Sequence, residues 1–156
     1  NLADNYLHSW AYWQLKYYDD FTTLDMPGSV ESFYEVDGSL QMAKVRALTR
    51  TYAYATCGVP VSQSFDTQTG QYDFVYNVSQ QCNGKKTELY VSEDWYYATG
   101  FNYVFANCFQ CGLHRINENE RNYYQIVLTP DIAEGTQVHL TVVVAAGVGN
   151  KQKIVV

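Results

Sequence analysis

Cys108 and Cys111, three positions apart with His114 close behind, have the spacing of a metal or redox pair. Structural zinc takes four ligands, commonly as two close pairs, and the other cysteines, Cys57 and Cys82, are single and distant. A thioredoxin-like pair opens a helix after a strand, whereas this stretch is rich in strand formers. Two structural disulfides are the preferred reading, with all three connectivities open. The paired acids Asp19-Asp20 and Glu118/Glu120 lie in turn-rich stretches and read as solvated surface. His8, His114 and His139 lack triad spacing, and neither a Gly-x-Ser-x-Gly motif nor a phosphate loop occurs. None of these constellations is read as a metal, cofactor or catalytic site. The remaining chemistry is aromatic. Ser9–Asp20 holds Trp10, Tyr12, Trp13, Tyr17 and Tyr18, and the chain has fifteen tyrosines. Tyrosine combines an apolar body with a polar tip, which suits half-buried strands and carbohydrate or protein contact surfaces.

The elements that must hold these residues change character along the chain. Residues 1–8 carry Leu2, Ala3, Tyr6 and Leu7 at helical spacing, so they predict a helix tail. In the strand expected at 9–15, Trp10 and Tyr12 share one face and Ala11 and Trp13 the other. Bulk on both faces is the pattern of a strand covered on both sides, as in a barrel, yet the next hundred residues supply no barrel. Helix, short turn and strand make one αβ step of an α/β barrel. Asp19-Asp20, Pro27-Gly28 and Asp37-Gly38 mark 19–40 as loop, and Ser39–Arg50, without Gly or Pro, predicts a helix. After Arg50 short alternating runs appear at 61–65, 71–78, 86–91, 101–106, 123–128 and 136–145, with a last one at Lys153–Val156. Turn signals separate them, among them Asn83-Gly84 and Glu134-Gly135. Val138, Leu140, Val142 and Val144 form the cleanest inward face. The expected class is mainly β: a C-terminal antiparallel sandwich preceded by the last αβ step of a (β/α)8 barrel.

Net charge is −6 and the pI about 4.9. That argues against a nucleic-acid partner, whose phosphates require clustered Lys and Arg; only Lys85-Lys86 sit side by side. The richest apolar run, Val142–Val148, is far short of the roughly 20 residues of a membrane-spanning helix. Asn77-Val78-Ser79 is a glycosylation sequon. In the 71–78 strand Tyr72, Phe74, Tyr76 and Val78 share one face, leaving Asp73 and Asn77 on the polar side where a glycan could attach. An even cysteine count and this sequon favour a secreted or lysosome-like setting.

Two motifs carry a family resemblance. One is Ser9-Trp-Ala-Tyr-Trp-Gln-Leu-Lys-Tyr-Tyr-Asp-Asp20. The other is Leu48-Thr-Arg-Thr-Tyr52, followed by Gly58-Val-Pro60, Ser64-Phe-Asp66 with Gly70, and Thr87-Glu-Leu-Tyr-Val91. To about residue 106 the chain resembles the C-terminal part of family 5 glycoside hydrolases of the endoglycoceramidase type; 107–121 has no family pattern. The resemblance implies residues 1–26 as the remnant of a catalytic barrel, 27–49 as a connecting segment and 50–156 as the C-terminal β-sandwich. It implies a retaining hydrolase with two catalytic Glu residues on barrel strands upstream of Asn1, so that this piece alone is inactive. It matches Trp13 to the tryptophan that floors the sugar site, where C–H bonds pack on the indole. Gln14, Lys16 and Tyr17 then begin the loop at the barrel face where such sites lie, and Tyr17, Tyr18 and Phe21 could line a groove for a lipid.

The expected parent hydrolyses the bond between a glycan and a lipid such as ceramide. Its partners are the glycolipid or oligosaccharide substrate, the N-terminal barrel and a membrane surface met peripherally. Two rivals stand beside it: a non-catalytic β-sandwich module for carbohydrate or lipid, and a family 5 glycosidase for another glycoside such as a sterol glucoside. Trp95-Tyr96-Tyr97 reads as packing between sandwich and barrel.

Overall fold

The computed structural model describes residues 2–13, 15, 17, 19, 21–22, 26–82 and 84–146. They divide into two units, 1–8 with 50–156, and 9–49. The larger unit opens with a short helix, α1 (Leu2–Asn5), whose Asp4 carboxylate pairs with Arg50 Nη1 at 2.5 Å. Eight strands follow: β1 (Tyr52–Ala55), β2 (Gly58–Phe65), β3 (Tyr72–Val78), β4 (Glu88–Tyr90), β5 (Phe101–Phe105), β6 (Gly112–Arg115), β7 (Tyr123–Val127) and β8 (Gln137–Val144). They form two antiparallel sheets ordered β1-β4-β7-β6 and β2-β3-β8-β5. The smaller unit contains the helix Met42–Leu48, called α2, inside the expected Ser39–Arg50 span.

Strict alternation builds the core. β3 buries Tyr72, Phe74, Tyr76 and Val78, as its period of two requires. Phe74 stacks on Tyr76 with ring centroids 5.2 Å apart and planes at 14°. β8 buries Val138, Leu140 and Val142, while Val144 packs at the margin. These residues share one cluster with Leu89, Leu113, Tyr124 and Ile126 from the other sheet, so the two inner faces close on each other as a sandwich. Tyr96 and Tyr97 belong to this cluster, and the Tyr97 hydroxyl donates to the Gly70 carbonyl at 2.7 Å. Those two tyrosines therefore pack inside the sandwich itself.

The expected strands at 61–65, 71–78, 86–91, 101–106, 123–128 and 136–145 all form; the run at Lys153–Val156 and Asn83 lie outside the described residues. β2 begins at Gly58 and runs through Pro60. It is an edge strand, where a residue without an N–H is tolerated, and its register slips between Pro60 and Ser62. The expected strand at 9–15 is not found: residues 9–13 form none. A strand needs a neighbour for its backbone N–H and C=O groups, and residues 9–13 have no ladder partner among the described residues. Of the αβ step, the described residues show the helix Leu2–Asn5.

The disulfides are Cys57–Cys82 and Cys108–Cys111. The second lies in the crossing from β5 in one sheet to β6 in the other, with Cys111 fully buried. The first sits beside Gly58, whose φ of +140° and close backbone neighbours exclude a side chain: an added Cβ would lie 2.1 Å from the Asn77 carbonyl oxygen.

Candidate functional site

Trp13 and Tyr17 lie in the smaller unit; Gln14 and Lys16 fall outside the described residues. Tyr12 is tied to the 26–41 loop, its hydroxyl donating to the Glu31 carbonyl at 3.2 Å and its ring meeting Phe33 edge-on at 5.1 Å. Lys44 of α2 donates to the Val30 carbonyl at 2.5 Å and also to that of Ser32. Tyr17 packs edge-on against Tyr34 at 4.8 Å. Gln41 donates to the carbonyls of Ser29 and Tyr34, pinning this loop onto the start of α2. Trp13 is 67% exposed, and Phe21 is 92% exposed. The segment is thus a short, internally braced loop that offers aromatic faces outward, a composition suited to covering by a larger body or ligand.

The larger unit contains a polar cluster that the sequence reading missed. Glu93, just past β4, is buried, and Arg115 Nη2 donates to its two carboxylate oxygens at 2.6 and 2.8 Å. Arg121 Nε donates at 3.3 Å, and the Tyr124 hydroxyl donates to Oε1. Burial pushes the Glu93 carboxyl up, but hydrogen bonds from Tyr124 and Arg115 outweigh it and hold it below the ordinary carboxylate range. Burial, then the Glu93 carboxylate, pushes the Tyr124 phenol up. Every carboxylate oxygen is engaged by the protein's own donors. The cluster therefore locks the 92–97 turn to β6 and β7 and offers no free acid or base. Its members are 22 and 28 residues apart, so no local spacing announces it. The one hint is the acid pair Glu93-Asp94 directly before Trp95-Tyr96-Tyr97.

A second polar set lies on the outer face of β3 and β8. Asp73 accepts from Thr141 Oγ1 at 2.6 Å and from Gln71 Nε2 at 2.7 Å, and lies 3.3 Å from His139 Nε2. Burial raises the Asp73 carboxyl, but bonds from Thr141, Gln71 and His139 bring it below its ordinary value. On the same strand Asn77 points to the polar face, its Oδ1 accepting from Gln137 at 3.4 Å. The acids Glu118 and Glu120 are exposed, as expected of solvated surface.

Among the described residues no group of three His, Cys, Asp or Glu side chains could hold a metal ion, and no helix is long and apolar enough to cross a membrane.

The profile of the glycoside hydrolase family 5 C-terminal domain matches residues 50–142. An endoglycoceramidase from Cyanea nozakii is 25% identical over 101 residues, which cover 65% of this chain and 20% of that protein. Two crystal structures of Cryptococcus neoformans sterylglucosidase 1, one with hit 1 and one with tris, superpose with TM-scores of 0.54 and 0.52 at 18% identity. They cover 71% and 74% of this chain and 15% and 16% of theirs; at that identity the likeness concerns fold. The chain spans about a fifth or less of the length of these relatives.

Proposed function

We infer the role of this chain from its family: it belongs to the glycoside hydrolase family 5 C-terminal domains. In our reading it is the terminal β-sandwich, with the adjoining end of the barrel, of a retaining glycosidase. The catalytic acid and nucleophile, both Glu, stand on upstream barrel strands. The observation that carries this is the family match over 50–142, preceded in the same chain by the aromatic 9–20 segment. Residues 1–26 then complete the barrel, 27–49 connect and 50–156 form the sandwich.

In the assembled enzyme Trp13 packs its indole on the C–H face of the sugar next to the catalytic carboxylates, while Gln14, Lys16 and Tyr17 line the rim. The large exposure of Trp13 supports this role, because the side chain is open to whatever the barrel brings to it. The substrate is a glycoside with a lipid aglycone. Ceramide is the first choice, on the 9–20 and 48–91 motifs and the endoglycoceramidase relative; a sterol glucoside is the second, on the fold shared with sterylglucosidase 1. Two disulfides and a surface-facing Asn77 in its sequon support a secreted or lysosomal protein with a glycan on Asn77, meeting lipid at a membrane surface.

The test is the native protein from its source, detected with an antibody against residues 50–156. A species far larger than this chain that releases glycan from glucosylceramide or ganglioside, and loses that activity on Trp13→Ala, supports the reading. Release from steryl glucoside alone selects the second substrate. A native species of this chain's own size refutes the enzyme reading in favour of a free-standing carbohydrate or lipid module.

A further inference from the structure

The two disulfides differ in what surrounds them. Cys108 and Cys111 are 6% and 0% exposed and belong to the core cluster. Cys57 and Cys82 instead line an open groove of about 610 Å³, and Cys82, half-buried, is the most accessible of the four cysteines. Lys85 and Lys86 line the same groove and are exposed. Glu88 is the acid of that groove, so its walls carry two positive charges against one negative. On a chain of net charge −6, Lys85-Lys86 is the one adjacent pair of bases. Arg50, Arg115 and Arg121 are each paired with a carboxylate.

The surrounding backbone suits an open bridge as well as a closed one. The Ser79 carbonyl oxygen lies 3.0 Å from the Cys57 sulfur and 3.5 Å from that of Cys82. In the disulfide neither sulfur has a proton to give it; once the bridge opens, a thiol finds its acceptor already in place. The Cys57 N–H donates to Thr87 Oγ1 at 3.0 Å, which holds the Cys57 backbone independently of its sulfur.

We propose that Cys57–Cys82 is a site of thiol–disulfide exchange, opened at Cys82 by a thiolate drawn into the Lys85/Lys86 groove, while Cys108–Cys111 stays closed. Exchange at a given sulfur requires access, and positive charge beside it favours the thiolate; this groove supplies both. The reductant is a dithiol. Its thiolate attacks the Cys82 sulfur, a mixed disulfide forms and the Cys57–Cys82 bond breaks. The electron pair of that bond leaves on Cys57, which takes a proton from water. The second thiol of the reductant, losing its proton to water, then attacks the reductant's own sulfur and expels Cys82. Two electrons have passed to the protein, and the reductant departs as a cyclic disulfide. The lysines favour the entering thiolate and the negative charge spread over three sulfurs during each attack.

The inference stands apart from the barrel reading, because it uses no residue of 1–49. The test is reduction of the native 156-residue chain by dithiothreitol at low ionic strength, without denaturant. Thiols are trapped with iodoacetamide and located by peptide mass mapping. Cys57 and Cys82 should be alkylated roughly tenfold or more faster than Cys108 and Cys111, before native circular dichroism is lost. The double variant Lys85→Gln/Lys86→Gln should slow opening by dithiothreitol about threefold. It should leave opening by uncharged tris(hydroxypropyl)phosphine unchanged, which separates a charge effect from a change in access. Opening of both bridges together, of Cys108–Cys111 first, or only after native circular dichroism is lost, overturns the proposal. So does a dithiothreitol rate that ignores the two lysines. None of these results bears on whether the upstream barrel is a glycosidase.

Discussion

Replacing Glu93 by alanine removes the shared acceptor of Arg115, Arg121 and Tyr124. The carboxylate side chain is 7% exposed and that of Arg115 24%. Removing one partner of a buried ion pair costs roughly 3–5 kcal/mol. Arg115 keeps a route to water and its bond to the Glu120 carbonyl, which sets its share near the lower end, about 3 kcal/mol. The buried Tyr124 hydroxyl loses its acceptor, adding about 1–2 kcal/mol. The total of about 4–5 kcal/mol is a large part of the 5–15 kcal/mol typical of a whole domain. It corresponds to a fall in melting temperature of the order of 15–20 °C. Glu93→Gln keeps an oxygen for Tyr124 without the charge, and should lose about half as much. The assay is urea unfolding followed by circular dichroism.

The pH dependence has a definite sign. Because the folded carboxyl lies below its ordinary value of about 4.3, its stabilisation is complete above that value and is lost as pH falls through the folded pKa. The stability gap between the parent and Glu93→Gln must therefore narrow on acidification from pH 7. A Glu93→Ala loss under about 1 kcal/mol, the scale of a surface pair, or a gap independent of pH, would refute the clamp.

Gly58→Ala should cost about 2–5 kcal/mol, combining an unfavourable positive φ with overlap against the Asn77 and Ser79 backbone; equal thermal stability of parent and variant would refute it. Opening Cys57–Cys82, which closes a 25-residue separation, should lower stability by about 3.5 kcal/mol, against about 2 kcal/mol for Cys108–Cys111 at separation 3. The reverse order in Cys→Ser pairs, measured by urea unfolding, would contradict the loop-closure argument. The triple variant Trp10→Ser/Trp13→Ser/Phe21→Ser should raise the soluble fraction of the isolated chain in a sedimentation assay, since these rings are exposed; an unchanged fraction would show that aggregation starts elsewhere.

The sandwich was legible wherever burial and alternation agreed. β3 and β8 place every second residue in the core, and their turns carry Gly at the expected ends. The reading failed at β1 and β6. β1 sends its large side chains to solvent and its alanines inward, so an inward apolar face cannot be recognised; β6 buries only Leu113. The strand foreseen at 9–15 has sound alternation but no ladder partner among the described residues, and alternation cannot supply hydrogen bonds. The Cys57–Cys82 bridge and the Glu93 cluster depend on contacts between distant segments, which no local spacing encodes. Of the proposed sugar-site residues, the sequence could name an aromatic segment through family likeness.

Pro60 and the register slip beside it have a bearing on how this module meets its surroundings. The rim of β2 lacks an amide donor at Pro60 and bends where the ladder slips, so an incoming extended chain cannot continue the hydrogen-bond rows there. Strand-by-strand growth, the route from an open sheet to fibrils and to exchanged dimers, is obstructed along that side. A module with such a border can stand next to another body without zipping onto it along that side. Contact along that border then proceeds through side chains, which evolution can alter one residue at a time.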